Sequence, residues 1–176
     1  MTCSHIVECL RNKGINPQAF ASSIYSNTYD ESKALSYETN TFYSTGVLYT
    51  PQFWGVDFKQ VVYLTGYEIA KGVPEGNKYG WIVNWSFLVS DNNKTYVPAH
   101  EQVEDTSALK AIEFDRIVSA RYIQIHGSSF YYDNTDFAFY YVKFFGYLSA
   151  MKNAFTCKSK RKINMSFTKM VFLLCS

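Results

Sequence analysis

Three histidines, four cysteines and fifteen carboxylates are the residues in this 176-residue chain able to move a proton, attack a carbon or hold a metal. Their spacing argues against all three tasks. His5, His100 and His126 are far apart, and none stands at metal-ligand spacing from a cysteine or a carboxylate. There is no Gly-x-Ser-x-Gly elbow to expose a nucleophilic serine, no glycine-rich loop to cradle phosphate and no His-Glu-x-x-His. The acidic pairs Glu104-Asp105 and Glu113 with Asp115 read as solvated loop and edge charges, and His126 as a surface or loop-anchoring side chain. Asp30, Glu31, Asp133, Asn134 and Asp136 offer the oxygen ligands that calcium takes, but at the spacing of no defined calcium loop. The expectation is a protein that is not an enzyme, with no catalytic residues, no metal and no cofactor.

The cysteines, at 3, 9, 157 and 175, make no Cys-x-x-Cys pair and sit only in the two extensions, unlike the framework of a stapled secreted domain. The opening residues have neither a basic region nor an apolar stretch with a small-residue cleavage site. A reducing, cytoplasmic setting is therefore expected. Asn84-Trp85-Ser86, Asn93-Lys94-Thr95 and Asn164-Met165-Ser166 match the N-glycosylation pattern and would matter only in a secreted chain. The longest apolar run, residues 170–175, is far short of the roughly 18–20 residues of a spanning helix, so no transmembrane segment is expected.

Charge divides the chain. Residues 151–176 carry six Lys or Arg and no acid, whereas residues 1–150 have a net charge of −4. A mildly acidic body lacks the clustered cations that phosphate neutralisation needs, so no nucleic-acid partner is expected for the folded domain. The basic tail, residues 149–176, reads as a disordered extension; nuclear import or an anionic membrane surface is the functional alternative for its cluster at 158–162.

With 47% hydrophobic and only 18% charged residues, the body can bury a sizeable core. Aromatics reach 18%, a bias towards sheet. A short helix is expected over residues 4–13, with Ser4 as cap, Ile6, Val7 and Leu10 on one side and Gly14 as its end. From Phe20 to about Gly146, short aromatic or β-branched runs are separated by turn residues, at the spacing of an antiparallel sandwich or barrel. The runs are 53–58, 61–69, 81–89, 111–114, 121–125 and 137–145. Trp81, Val83, Trp85, Phe87 and Val89 share one parity, so one face of that strand is strongly apolar. Ser90-Asp91-Asn92-Asn93-Lys94 is an Asx-rich hairpin loop, and residues 72–80 form a longer polar loop.

The order of these pieces resembles a known family. Ala21-Ser22-Ser23, Gln52-Phe53-Trp54-Gly55-Val56-Asp57-Phe58, Leu64-Thr65-Gly66-Tyr67-Glu68-Ile69, Trp85-Ser86-Phe87-Leu88-Val89-Ser90-Asp91 with Tyr96 beyond it, Ala120-Arg121-Tyr122-Ile123-Gln124-Ile125 and Phe144-Phe145-Gly146 together resemble the discoidin domain, also called the coagulation factor V/VIII C-type domain. The resemblance covers roughly residues 20–148 and implies an all-β jelly-roll antiparallel β-sandwich of the galactose-binding-like type, preceded by a short N-terminal helix and linker at residues 1–19. It implies structural roles for Asp57, bonding backbone near a strand end, and for Arg121, in a polar network. The family's last strand usually carries an Arg and a Glu where this chain has Tyr141 and Lys143, and its closing disulfide is not reproduced after Gly146. The opening helix is similar to the linker helix of protist intracellular proteins.

In this family the ligand site is built from loops at one end of the sandwich. The matching loops here, residues 24–35, 43–50 and 72–80, carry Tyr25, Tyr29, Tyr43, Tyr49 and Tyr79. Exposed aromatic rings suit stacking on sugar faces or anchoring a protein. The competing reading is that these tyrosines pack beneath their own loops. The loops contain no Arg and no His, which family members with a fucose or galactose pocket typically use. The expected function is a non-catalytic ligand-binding module with a carbohydrate or protein partner; the alternative is an intracellular protein-interaction or adaptor module that binds no sugar.

Overall fold

The computed structural model describes residues 5–37, 41–45, 52–71, 80–130 and 138–148. Within them, one helix, α1 (Ile6–Arg11), precedes seven antiparallel strands: β1 (Gln18–Ala21), β2 (Tyr43–Ser44), β3 (Gln52–Lys71), β4 (Ile82–Ser90), β5 (Val97–Gln102), β6 (Leu109–Phe130) and β7 (Ala138–Leu148). The apolar runs at 53–58 and 61–69 are one long strand, not two, and so are those at 111–114 and 121–125.

That merger builds the sandwich. The β3–β6 ladder steps from Asp57 opposite Tyr122 to Val62 opposite Ala120, an irregularity at which both strands turn a corner together. Before the corner β3 lies between β1 and β6, and after it between β7 and β6. One layer is therefore β1-β3-β6-β4-β5 and the other β2-β7-β3-β6, sharing the two long strands. Aromatic rings lock the layers. Trp54 of the first layer meets Phe139 of the second edge-on at 5.9 Å, and Phe87 stacks on Tyr67 at 4.3 Å.

Trp54, Val56, Trp85, Phe87, Ile123 and Ile125, which alternation and the order of the family motifs together place in the core, are all 1% exposed or less. The parity of β4 breaks at its start. Ile82 is fully buried, whereas Trp81 and Val83 are partly exposed, because register shifts on either side of Asn84 insert an extra residue. A single unbroken alternation cannot encode that slip.

The N-terminal helix is part of the core. Ile6, Val7 and Leu10 are fully buried, and β1 begins at Gln18, so a boundary at 19/20 falls inside the packed unit. Its cap is His5 rather than Ser4: the imidazole Nδ1 accepts the Glu8 N–H at 3.4 Å. Gly14 ends it at φ +74, a conformation that costs a glycine nothing. Cys9, on the buried side of this helix, is disulfide-bonded.

At the corner, Asp57 accepts two bonds from the Arg121 guanidinium, at 3.0 and 3.2 Å, and one from the Lys59 N–H at 2.7 Å. Burial pushes the Asp57 carboxyl up, but these donors outweigh it and hold it below the usual carboxylate range. Both residues are scaffold.

Candidate functional site

Because β3 and β6 fold back at their corner, both ends of each reach the same pole of the sandwich. Gln52 lies opposite Gly127, and Ala70 opposite Leu109. The segments entering and leaving β2, the 72–79 segment, the β5–β6 turn and the start of β7 are rooted there.

A buried ion pair forms the floor of this pole. Lys71, 2% exposed, places its ammonium 2.8 Å from the Asp105 carboxylate and donates to the backbone carbonyls of Ile82 and Asp105 at 3.0 and 2.9 Å. It thereby ties the end of β3 to the start of β4 and to the β5–β6 turn. The same ammonium sits 4.9 Å over the Trp85 ring, whose N–H donates to the Tyr67 hydroxyl at 2.9 Å. Asp105 is therefore not a solvated loop charge. Glu104, exposed beside it, and the exposed Glu113 and Asp115 do match that reading.

Of the candidate tyrosines, Tyr25 is 66% exposed and Tyr29 half-buried. Tyr43 is fully buried in β2, where its hydroxyl donates to the Ser23 carbonyl at 3.0 Å. This corrects its assignment as a contact residue: its ring tilts against Phe139 in the core. Tyr49 and Tyr79 lie outside the described residues, as do Asp133, Asn134, Asp136 and the basic tail. Asp30 spends its carboxylate on Ser32, accepting its N–H at 2.9 Å and its hydroxyl, with Lys33 at 3.9 Å.

Tyr25 and Tyr29 belong to a longer aromatic series. Their rings are 6.1 Å apart, Tyr29 stacks on Phe42 at 4.5 Å and 26°, and Phe42 meets Tyr140 edge-on at 6.2 Å. Phe42 and Tyr140 were absent from the sequence-based set because Phe42 stands one residue before the 43–50 loop and Tyr140 lies inside the run 137–145, which reads as a strand. Tyr140 turns aside at a break in the β3–β7 register between Ala70 and Lys71. The Tyr25 N–H, donating to the Ser44 carbonyl at 2.9 Å, fixes the exposed end of the series to β2. Residues 22–29 carry no charge, so what this surface offers is ring faces, hydroxyls and amide groups.

The histidines do not converge on it. His5 caps α1, His100 meets the Tyr67 ring edge-on at 6.0 Å, and His126 lies within β6, its ring stacked on Phe53 at 5.3 Å. Burial lowers the His126 pKa. Among the described residues no helix is long and apolar enough to cross a membrane.

Residues 18–141 match the family model of the F5/8 type C domain. The chain belongs to that family. Solved structures agree on the fold of this F5/8 type C domain. Chitosan-binding module 1 of a chitosanase/glucanase from Paenibacillus sp. IK-5 superposes with a TM-score of 0.68 at 14% identity, covering 82% of this chain and all of that one. Chitosan-binding module 2 of the same enzyme, in complex with chitotriose, gives 0.66 at 12% identity, covering 75% of this chain and 98% of that one. The family 32 carbohydrate-binding module of Clostridium perfringens NanJ, in complex with galactose, gives 0.63 at 20% identity, covering 73% and 92%. Among curated protein sequences none matches the chain.

Proposed function

We propose that this F5/8 type C domain is a non-catalytic carbohydrate-recognition module whose ligand docks at the loop-bearing pole. The observation that carries the reading is the uncharged aromatic series from the exposed Tyr25 through Tyr29 and Phe42 to Tyr140. Aromatic faces take the apolar faces of sugar rings, and the neighbouring hydroxyls and backbone groups take their hydroxyls. The solved neighbours, modules that bind chitosan or hold galactose, support the ligand class. Tyr79 joins the proposed contact set because Lys71 and Gly80, which bracket residues 72–79, stand at this pole, and Tyr49 joins it because β2 and Gln52, on either side of its segment, do so too.

The disulfide at Cys9 also supports the glycan reading over an intracellular adaptor, because disulfides persist in oxidising compartments. On that ground we place the protein in an oxidising compartment, against the cytoplasmic setting expected from the cysteine spacing and the opening residues. Titration of the full chain with galactose-terminated and glucosamine oligosaccharides tests the reading. Tyr25→Ala should weaken binding by about 2 kcal/mol, roughly thirtyfold, with stability nearly intact. Saccharide binding that ignores both Tyr25→Ala and Tyr29→Ala would remove the pole from consideration.

A further inference from the structure

Three N-glycosylation patterns stand in the chain, at Asn84, Asn93 and Asn164, and the structure separates the first two. Asn84 lies inside β4, and its side-chain oxygen accepts the Glu104 N–H at 2.6 Å. Asn93 lies in the exposed β4–β5 hairpin loop, at the pole opposite the aromatic series, with φ +59. Its side-chain oxygen accepts from the Tyr96 hydroxyl at 2.5 Å, and its amide nitrogen has no partner. The left-handed backbone accounts for an asparagine at 93 but asks nothing of position 95. There Thr95 is exposed and engages the protein only through its backbone N–H, given to the Asn92 side chain at 3.0 Å, so its hydroxyl is free.

The ground beside this loop is open and carries exposed aliphatic side chains among polar ones. A groove of about 250 Å³, in which Val89 and Val97 stand among the polar Ser90, Asp91, Asn92, Thr95 and Ser119, runs directly from the hairpin. It continues into a second of about 280 Å³ that shares Val89, Val97 and Ser119 and adds Pro98, Ile117 and the Arg116 side chain. Val97 and Ile117 are each 54% exposed, and β5 is the outermost strand of its layer among the described residues. An edge strand flanked by exposed aliphatic side chains invites association unless something covers it.

We infer that Asn93 is an N-glycosylation site and that the attached oligosaccharide covers this groove and the β5 edge. The donor class is an oligosaccharide carried on a lipid pyrophosphate. The Asn93 amide nitrogen bonds to the anomeric carbon, the bond from that carbon to the pyrophosphate oxygen breaks with its electron pair, and the lipid pyrophosphate leaves. The amide proton passes to the transferase's base. Thr95 supplies the hydroxyl that the acceptor pattern requires. Asn92 and Thr95 line the first groove themselves, so the innermost sugars start at its rim. A bulky, hydrated chain here shields the edge while leaving the aromatic pole open. The inference rests on passage through an oxidising secretory compartment, for which the Cys9 disulfide speaks, and not on any ligand of the aromatic pole.

The full chain is produced through a eukaryotic secretory pathway, treated with peptide N-glycosidase and mapped by mass spectrometry. The expected result is conversion of Asn93 to Asp by the glycosidase, with Asn84 unchanged. Thr95→Ala should abolish the modification while keeping the asparagine that the left-handed turn favours, a cleaner variant than Asn93→Gln. The unmodified protein should bind more of an apolar dye, and Val97→Ser with Ile117→Ser should remove that gain. An unmodified Asn93 peptide from correctly folded secreted protein overturns the assignment. Equal dye binding with and without the glycan overturns its covering role.

Discussion

The Tyr43 hydroxyl donates to the Ser23 carbonyl at 3.0 Å, joining buried β2 to the loop that presents Tyr25 two residues later. The Tyr25 N–H returns a bond to Ser44. Two tyrosines that look equivalent in sequence are thus an anchor and a contact. Tyr43→Ala should cost on the order of 3–5 kcal/mol as a large-to-small core change, whereas Tyr25→Ala should stay within about 0.5 kcal/mol. Chemical denaturation of the two variants checks the contrast; similar losses would place both in the core.

Trp85 packs in the core and donates to Tyr67 beneath the Lys71 ammonium. Trp85→Ala should lower stability by roughly 3–5 kcal/mol. Trp85→Phe, which restores a ring but leaves the Tyr67 hydroxyl without its donor, should cost less but still about 1–3 kcal/mol. A melting midpoint unmoved by the alanine variant would contradict the burial of this strand face.

The Lys71–Asp105 pair should behave as a buried pair. Removing the carboxylate alone, in Asp105→Asn, strands an ammonium and should cost about 3–5 kcal/mol, and Lys71→Met combined with Asp105→Asn should recover part of that loss. A double variant no more stable than the single one would show that the pair is not coupled.

Acid should unfold the domain through Asp57 and Asp105. Burial pushes both carboxyls up, but Arg121 and Lys59 beside Asp57, and Lys71 and Ser107 beside Asp105, bring both below the ordinary value. A carboxyl depressed in the folded state stabilises it above the unfolded pKa of about 3.9, and that stabilisation is lost as pH falls through the folded value. Denaturation midpoints should therefore hold steady down to about pH 5 and fall below about pH 4. Asp57→Asn combined with Asp105→Asn should flatten that fall; a slope unchanged in the double variant would assign it to other groups.

Reduction of the Cys9 disulfide should destabilise the domain by roughly 2–5 kcal/mol. Thermal melts with and without reductant, alongside thiol counting in the unfolded chain, measure this. Four free thiols in untreated protein would overturn the pairing.

What the sequence determined by itself was what depends on neighbours along the chain. Alternation two residues apart, together with the order of the family motifs, placed Trp54, Val56, Trp85, Phe87, Ile123 and Ile125 inward, and all are buried. The turn chemistry of Ser90 and Asn92, whose side chains each accept two backbone N–H groups, was legible as a hairpin. Tertiary structure decided whatever required a partner far along the chain. Runs that read as four strands became two because β3 and β6 bend together at one corner, and β4 changed face where its pairing slipped. Asp105 became half of a buried pair because Lys71 lies 34 residues away in sequence but 2.8 Å away in space. Tyr43 left the candidate site because β7 gave it Phe139 to pack against. Phe42 and Tyr140 entered the site because folding set the Phe42 ring beside Tyr29 and the Tyr140 ring beside Phe42. Local periodicity encodes which side of a strand is apolar; only the packed sheets determine which apolar residues remain uncovered.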